Sequence, residues 1–287
     1  MTHREIVTNG VRLHIVEAGP PDGEPLVFLH GFPEFWYSWR KQIPYFADRG
    51  YRVIVPDQRG YGASDQPAGL SAYRLDALAG DVVGLIDAVG AERACVVGHD
   101  WGGGVALWTA FRHPARVRRL VVLNCPHWRA MERELRRSWA QRRKSWYMAF
   151  FQLPWLPEWL ARRNDFRMLA DALVRTSRPG TFTEADLAEY RRAWARPGAL
   201  TGMINWYRAV VQRPPHFPAD SRIRVPTLVL WGARDAFLNR ELAQGTVEQC
   251  DAGELVTLDD ATHWLQHEQP ERVNGLIDAF LRREPGA

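Results

Sequence analysis

Short apolar runs that end in polar or turn residues recur along the chain. Because both faces of such a run are apolar, each predicts a strand that is buried on both sides within a parallel sheet. The runs are LVFLH (26–30), RVIVPD (52–57), ACVVG (94–98), LVVLN (120–124), PTLVLWG (226–232) and ELVTLD (254–259).

Two other periodicities accompany these runs. Residues 11–19, VRLHIVEAG, alternate apolar and polar side chains, which predicts an antiparallel edge strand with one solvated face. Residues 73–89 carry apolar side chains at helical spacing and stop at Gly90, and 269–283 predicts a closing helix. The alternation of strands and helices predicts a doubly wound α/β sheet with helices on both faces.

The alternation stops between residues 127 and 214. This stretch contains amphipathic helical runs separated by prolines, and it holds 7 of the 13 tryptophans of the chain. We therefore expect a helical cap domain at 127–214, inserted into a core domain formed by 1–126 and 215–287. Ligands in such sheets bind at the carboxyl ends of the strands, so the cap would cover the site.

The composition, with 46% hydrophobic and 24% charged residues, is that of an ordinary soluble protein. The first residues lack the apolar core of a signal peptide, and no run is long enough to span a membrane. The three cysteines, Cys95, Cys125 and Cys250, include no CxxC pair that would indicate a metal or redox site. These features predict a cytoplasmic protein.

The charge is small overall and unevenly distributed. A net charge of +4 does not predict a nucleic-acid partner. Residues 127–214 contain 17 Arg or Lys against 8 Asp or Glu, which gives this segment +9 and leaves −5 for the rest. Solvated helix faces account for this excess more simply than a basic patch for an acidic surface, although both explanations are open.

The most informative motif is Gly98-His99-Asp100-Trp101-Gly102, which follows a predicted strand and precedes a helical run. Its form is that of a strand-to-helix turn that holds a nucleophile between two glycines. The usual residue at this position is serine, which serves acyl transfer. A carboxylate instead attacks a saturated carbon, opening a strained ether or displacing a halide to form an alkyl-enzyme ester. The alternative is an aspartate that caps a glycine-rich turn.

The partners that such a nucleophile needs are present in the expected order. The loop after the first buried strand, His30-Gly31-Phe32-Pro33, predicts an oxyanion hole formed by the backbone N–H groups of Phe32 and Trp101. His263 lies in a loop after the last predicted strand, where the general base is expected. Asp235 follows the preceding strand and would orient His263.

Other residues compete for these roles. Asp259 and Asp260 are closer to His263 in sequence, but they are typical of a turn at a strand end. His30 and His99 are expected to support the oxyanion loop and the turn, and His267 to face solvent on a helix. We expect the substrate pocket to be bordered by His30, Pro33, Trp101, His127, Trp206 and Trp264.

Over nearly its whole length the chain resembles the α/β-hydrolase-fold epoxide hydrolases. The resemblance implies a mostly parallel eight-stranded sheet with an inserted helical cap, conversion of epoxides to vicinal diols, and no metal or organic cofactor. It also implies that the hydroxyls of Tyr147 and Tyr207, which match the cap tyrosines of the family, donate to the epoxide oxygen. The blocks that carry the resemblance are HGFPEFWYSWR, DQRGYGASDQP, GHDWGG, SWYMAFFQLP, NWYR, WGARD and THW.

Together these features predict an enzyme that acts on a small apolar or aromatic epoxide and water. A homodimer is compatible with them. The nearest alternative is a dehalogenase of the same fold. The haloalkane dehalogenases usually have Asn where this chain has Phe32, and the fluoroacetate dehalogenases usually have Arg where it has Trp101. A binding protein without catalytic activity is a more remote alternative, because such proteins usually lose one of the residues equivalent to Asp100, Asp235 and His263.

Overall fold

The computed structural model describes residues 1–283, so the end of the predicted core domain, 284–287, lies outside the described part. The strands are β1 (Thr2–Thr8), β2 (Val11–Ala18), β3 (Glu24–Leu29), β4 (Tyr51–Pro56), β5 (Ala94–His99), β6 (Val117–Leu123), β7 (Thr227–Gly232) and β8 (Gly253–Leu258). The α-helices are α1 (Gln42–Ala47), α2 (Leu75–Ala88), α3 (Trp101–Arg112), α4 (Trp128–Arg137), α5 (Trp139–Lys144), α6 (Trp146–Phe150), α7 (Leu156–Thr176), α8 (Glu184–Trp194), α9 (Ala199–Gln212), α10 (Glu241–Val247), α11 (Leu265–Glu268) and α12 (Pro270–Leu281).

The eight strands form one sheet in the order β1-β2-β4-β3-β5-β6-β7-β8. β2 pairs antiparallel with β1 and β4, and all other pairs are parallel, which confirms the predicted mostly parallel sheet. The prediction that residues 11–19 form the edge strand is wrong. β1 covers that edge, and its own pattern was not recognised because most of its side chains are exposed.

Helices cover both faces of the sheet. In β3, Val27 and Leu29 belong to the apolar cluster under α2 and α3, whereas Leu26 and Phe28 belong to the cluster under α1 and α12. This alternation follows from the two-residue period of a strand, and it explains why consecutive residues in the middle of the parallel strands are apolar. The central strands are therefore held from both sides, and their carboxyl ends form a fixed platform for a site.

All helices from α4 to α9 lie in the connection between β6 and β7, where we predict the cap. α7 is interrupted at Arg163–Phe166, where three consecutive residues have positive φ. The Trp194 indole Nε1 donates to the Pro33 carbonyl at 2.6 Å, and the Trp206 indole Nε1 donates to the Arg59 carbonyl at 3.0 Å. These bonds fix the helices of the insertion over loops that leave the carboxyl edge of the sheet.

None of the helices within residues 1–283 is both long and apolar enough to cross a membrane.

Candidate active site

Asp100 occupies the turn between β5 and α3 and has φ 50° and ψ −123°. A non-glycine residue is strained in this region of backbone space, and such strain is held in place by the surrounding structure. Two glycines permit the turn. A Cβ atom on Gly98 would collide with the carbonyl of Gly102, and one on Gly102 would collide with the carbonyl of Leu29. The turn therefore presents the Asp100 carboxylate above the sheet edge.

The two carboxylate oxygens of Asp100 have different surroundings. The backbone N–H of Phe32 donates to Oδ1 at 2.9 Å. Oδ2 lies 3.6 Å from Nε2 of His263. The hydrogen bonds of the described chain include none from the Trp101 N–H to this carboxylate, so only one of the two predicted oxyanion donors already contacts it. Oδ2 is the oxygen without a backbone donor. The Asp100 side chain borders a cavity that is described below.

His263 is held by Asp235 at the end of β7. Nδ1 of His263 lies 2.7 Å from Oδ2 of Asp235, and the histidine is only 2% exposed. The short contact at Nδ1 leaves Nε2 directed at Asp100. The structure thus brings Asp100, His263 and Asp235 together in a continuous series of contacts. Asp259 and Asp260, the alternatives for the acid, lie in the turn after β8 and form surface ion pairs instead.

Asn124, directly after β6, is a site residue that the sequence did not identify. Its side-chain amide donates to Oδ2 of Asp235, and its Oδ1 accepts from the Gly232 N–H at 2.7 Å. The N–H groups of Phe237 and Leu238 donate to Oδ1 of Asp235 at 2.7 and 3.0 Å. Both oxygens of Asp235 are therefore held by several donors. The only sequence signal was a polar residue at the end of a buried strand.

We expect Asn124→Ala to destabilise the fold by about 1–3 kcal/mol, because it removes a donor to a buried carboxylate and leaves the Gly232 N–H without its acceptor. Urea unfolding measures this change. An equal substitution at exposed Asn164 serves as the control. If the two variants are equally stable, the hydrogen bonds of Asn124 contribute nothing to the stability of the fold.

Opposing effects set the protonation of His263. Burial disfavours the imidazolium, but the carboxylates of Asp235 and Asp100 outweigh it and raise the pKa of His263 to about 10. Burial likewise opposes ionisation of Asp235, yet His263, Asn124 and the backbone donors hold the pKa of that carboxyl below its ordinary value. At neutral pH one imidazolium therefore lies between two carboxylates.

NMR titration of the imidazole should show this coupling. We expect His263 to titrate well above its ordinary pKa of 6.5, and to titrate lower in Asp100→Asn, because one of the two stabilising charges is then gone. Since the folded-state pKa is the higher one, the contribution to stability is complete below about pH 6.5 and is lost as the pH rises through about 10. An unchanged titration in Asp100→Asn would mean that the two groups do not interact.

A second buried polar network lies behind His263. Glu34 is 1% exposed, and its Oε1 lies 2.7 Å from Nε2 of His267 and accepts from the Tyr190 hydroxyl at 2.7 Å. Its Oε2 lies 3.3 Å from Nδ1 of His99, whose Nε2 is 2.8 Å from the carbonyl of His263. Burial opposes ionisation of Glu34, but His267 and His99 lower its pKa well below the ordinary value. The network supports the loop that carries His263.

A cavity of about 730 Å³ opens above Asp100. Tyr147 on α6 and Tyr207 on α9 both line it, and their ring centroids are 5.9 Å apart. Two of the expected pocket residues, Pro33 and Trp264, line it as well. Most of the remaining lining is apolar and comes from the loop after β3, the cap and the loop after β7, namely Phe32, Ala140, Trp146, Phe150, Phe151, Met168, Leu169, Ala172, Ala236 and Phe237.

Four other residues expected at the pocket do not line this cavity. His30 is buried beneath it, with Nε2 accepting from the Gln58 N–H at 3.0 Å. His127 is an N-cap of α4, where Nδ1 accepts from the Arg129 N–H. Trp206 is in the core, and Trp101 lies behind Tyr207, with ring centroids 5.0 Å apart.

His267 also differs from the prediction. It is 2% exposed rather than solvent-facing, because it pairs with Glu34 in the buried network.

Both cap tyrosines are strongly shifted toward the protonated form. Burial is the main cause and the charge of Asp100 adds to it, so the pKa values of Tyr147 and Tyr207 lie well above the ordinary value. Both hydroxyls are therefore neutral at pH 7 and able to donate a hydrogen bond. Within residues 1–283 no group of three or more His, Cys, Asp or Glu side chains is arranged to hold a metal ion.

Comparisons with known proteins agree with this architecture. The alpha/beta hydrolase fold family model matches residues 24–270. AB hydrolase superfamily protein YfhM of Bacillus subtilis (strain 168) is 46% identical over 277 residues, covering 96% of each chain, and Epoxide hydrolase 4 of Homo sapiens is 40% identical over 285 residues, covering 97% of this chain and 78% of its own. A crystal structure of a mutant epoxide hydrolase from Bacillus megaterium, complexed with its naphthyloxy-propane-diol product, is 31% identical, with a TM-score of 0.88 over 98% of this chain and 100% of the other. The fold, the sequence blocks and these relatives together make the chain a member of the α/β-hydrolase-fold epoxide hydrolase family.

Proposed function

We propose that this protein, a hydrolase by its family, converts epoxides to vicinal diols with Asp100 as the nucleophile. The observation that carries the proposal is that the strained turn presents a carboxylate, rather than a hydroxyl, to the cavity. His263 and two tyrosines line the same cavity. Residues 127–214 would act as the cap domain that supplies these tyrosines. We also propose a cytoplasmic location. The three cysteines of the chain, which are free and buried, are compatible with the reducing conditions there.

In the first step, Oδ2 of Asp100 attacks one carbon of the epoxide ring. The new carbon–oxygen bond forms an ester as the ring carbon–oxygen bond breaks, and its electron pair goes to the departing oxygen. Tyr147 or Tyr207 gives this oxygen a proton, which is needed because an alkoxide is far more basic than a phenolate. The result is a hydroxyalkyl ester on Asp100 and a tyrosinate in the cavity.

In the second step, neutral His263 removes a proton from water, and the oxygen of that water attacks the ester carbonyl carbon. The oxyanion that forms is the former Oδ1, which already accepts from the Phe32 N–H, and the Trp101 N–H would be its second donor. Asp235 stabilises the imidazolium. When the tetrahedral intermediate collapses, the imidazolium gives its proton to the diol, which leaves with the original Oδ2. The second proton of the water then passes from the Asp100 carboxyl to His263, which restores the carboxylate and the imidazolium.

Consumption of the Asp100 charge links the two steps. That charge raises the pKa of His263 and of both tyrosines. When the ester forms, the charge disappears, so the tyrosines become stronger acids and the imidazolium loses its proton more readily. The proton that His263 releases balances the proton that the tyrosinate takes up. The histidine is then neutral at the point where a base is required.

The cavity favours a small apolar or aromatic epoxide. Its lining is dominated by aromatic and aliphatic side chains. Asp100, His263 and the two tyrosines supply polar groups at the site, and Arg143, Lys144, Asp171, Arg175 and Thr176 add polar groups from the cap helices. The Bacillus megaterium relative is described with an aromatic diol as its product, which supports the same substrate class here.

Product formation by the purified protein tests the proposal. We would supply styrene oxide and aliphatic epoxides, and assay 1-bromobutane and fluoroacetate in parallel for halide release. Diol without halide supports the proposed function. Halide without diol would give first place to a dehalogenase, and neither product with any substrate would favour a binding protein.

We expect Tyr147→Phe to slow ring opening on the order of tenfold or more, and Tyr147→Phe with Tyr207→Phe to slow it further, because the alkoxide then has no proton donor. Single-turnover kinetics with styrene oxide measures this step separately from ester hydrolysis. Tyr45→Phe, on α1 away from the cavity, is the matched control. Ring opening at the native rate in the double variant would remove the tyrosines from the mechanism.

A further inference from the structure

The exposed tryptophans of the chain are concentrated in one stretch of the cap. Trp139, Trp146, Trp155 and Trp159 are 69%, 65%, 69% and 50% exposed. The nine tryptophans elsewhere in the chain are all buried or half-buried. Tryptophan is normally at least largely buried, so four exposed tryptophan side chains within twenty-one residues are an unusual concentration of exposed apolar area. We call this stretch, residues 137–163, the cap tryptophan surface.

The same stretch is strongly basic. Its only acidic residue, Glu158, is occupied by Arg208 in a two-point ion pair at 2.6 and 3.0 Å. Five of its cations are exposed and form no ion pair with a carboxylate of residues 1–283; these are Arg137, Arg142, Arg143, Arg162 and Arg163. Two of them stack on the exposed rings, Arg142 at 5.8 Å from the centroid of Trp139 and Arg163 at 4.7 Å from that of Trp159.

Cations without a carboxylate partner are concentrated in this stretch, although not confined to it: over the rest of residues 1–283, the exposed cations that form no ion pair are Lys41, Arg74, Arg93, Arg196, Arg213 and Arg234. Surface arginines just outside it are paired, Arg133 with Glu248, Arg136 with Glu132 and Arg167 with Asp171. Helix faces that are merely solvated would be expected to carry acidic residues among the basic ones, as the neighbouring turns do. Unpaired guanidinium groups beside exposed indole rings instead match the requirements of an anionic, partly apolar partner.

We propose that the cap tryptophan surface binds the surface of an anionic lipid bilayer. Indole rings favour the headgroup region, where one edge meets the acyl chains and the N–H remains hydrated. Arginines beside them are attracted to anionic headgroups. A second copy of the chain fits less well, because a two-fold contact would bring the same basic surface against itself.

The entrance of the cavity lies at the edge of this surface. Trp146, Phe150 and Arg143 line the cavity as well as belonging to the stretch. A protein bound through this surface would have its cavity open next to the bilayer, where apolar molecules accumulate. Bilayer binding needs only the surface residues, so its test does not depend on the reaction at Asp100.

Sedimentation of the full-length protein with vesicles tests the proposal. We expect binding to vesicles of equal parts phosphatidylcholine and phosphatidylglycerol, weak binding to phosphatidylcholine alone, and release by high salt. Arg162→Gln with Arg163→Gln should weaken the partition on the order of tenfold or more, since each cation near the surface contributes about fivefold. Trp155→Ser with Trp159→Ser should weaken it as well and reduce the blue shift of tryptophan fluorescence, to which Trp139 and Trp146 still contribute.

The matched control is Arg74→Gln with Arg93→Gln, which removes two exposed cations from the core domain. It should bind like the native protein, and all variants should hydrolyse a soluble epoxide at the native rate. Absence of binding to anionic vesicles would overturn the proposal, as would equal loss in the control. A native dimer that the Trp155→Ser, Trp159→Ser variant converts to a monomer, without vesicle binding, would assign the surface to a second copy instead.

Discussion

Asp100→Asn is expected to lose steady turnover by at least on the order of 10⁴-fold, with the fold retained. The substitution keeps the shape of the side chain and the acceptor for the Phe32 N–H, but an amide is not a nucleophile toward saturated carbon. The cavity, the two tyrosines and the pair of His263 with Asp235 all remain. Diol formation from styrene oxide under saturating substrate measures the effect.

Asp259→Asn is the control for this variant, because that side chain is 82% exposed in the turn after β8. It should have native activity. Thermal unfolding of both variants separates loss of chemistry from loss of folding. Full activity of Asp100→Asn in a preparation verified to be free of deamidated protein would remove Asp100 as the nucleophile.

His263→Gln should stop the reaction after one step. Ring opening does not need a base, so the ester on Asp100 should form, but no group would then deprotonate water for its hydrolysis. We expect at most one equivalent of epoxide to be consumed per protein molecule, and an increase in protein mass equal to one epoxide molecule. Rapid quench followed by mass spectrometry of the intact protein measures both.

His216→Gln, at an exposed histidine in the connection before β7, is the control and should turn over normally. Steady diol release by His263→Gln at the native rate would show that another group activates the water. Slow hydrolysis with accumulated ester would still agree with the assigned order of steps.

The sequence was most informative where one residue type determines the chemistry. Gly98, Asp100 and Gly102 have local requirements, strain and close approach, that can be recognised from the chain alone. The parallel strands were equally clear, because burial on both faces produces runs of consecutive apolar residues. β1 was missed since an edge strand with exposed side chains carries no such signal.

Long-range polar contacts were the main features that could not be predicted. Glu34 is separated from His267 by 233 positions and Asn124 from Asp235 by 111, so no local pattern relates them. The wrong pocket assignments have the same origin. His30 and Trp206 lie near site residues in sequence, but their side chains point into buried networks that only the packing of distant elements determines.

The structure also divides the basic residues of the cap into two groups that the sequence did not distinguish. The sequence favoured solvated helix faces for the basic cap. Several of its arginines are indeed paired with neighbouring carboxylates, but those of the cap tryptophan surface are not. Composition alone cannot distinguish these two groups, because ion pairing depends on which turns face each other.

One measurement tests the covalent mechanism most directly. The native protein, in excess over styrene oxide, is allowed one turnover in water enriched in ¹⁸O, and both the diol and the peptide containing Asp100 are analysed by mass spectrometry. If water attacks the ester carbonyl carbon, the label enters the Asp100 carboxylate and the diol of that turnover is unlabelled. Label in the diol with none in Asp100 would mean that water attacks the epoxide directly, and would contradict the proposed mechanism.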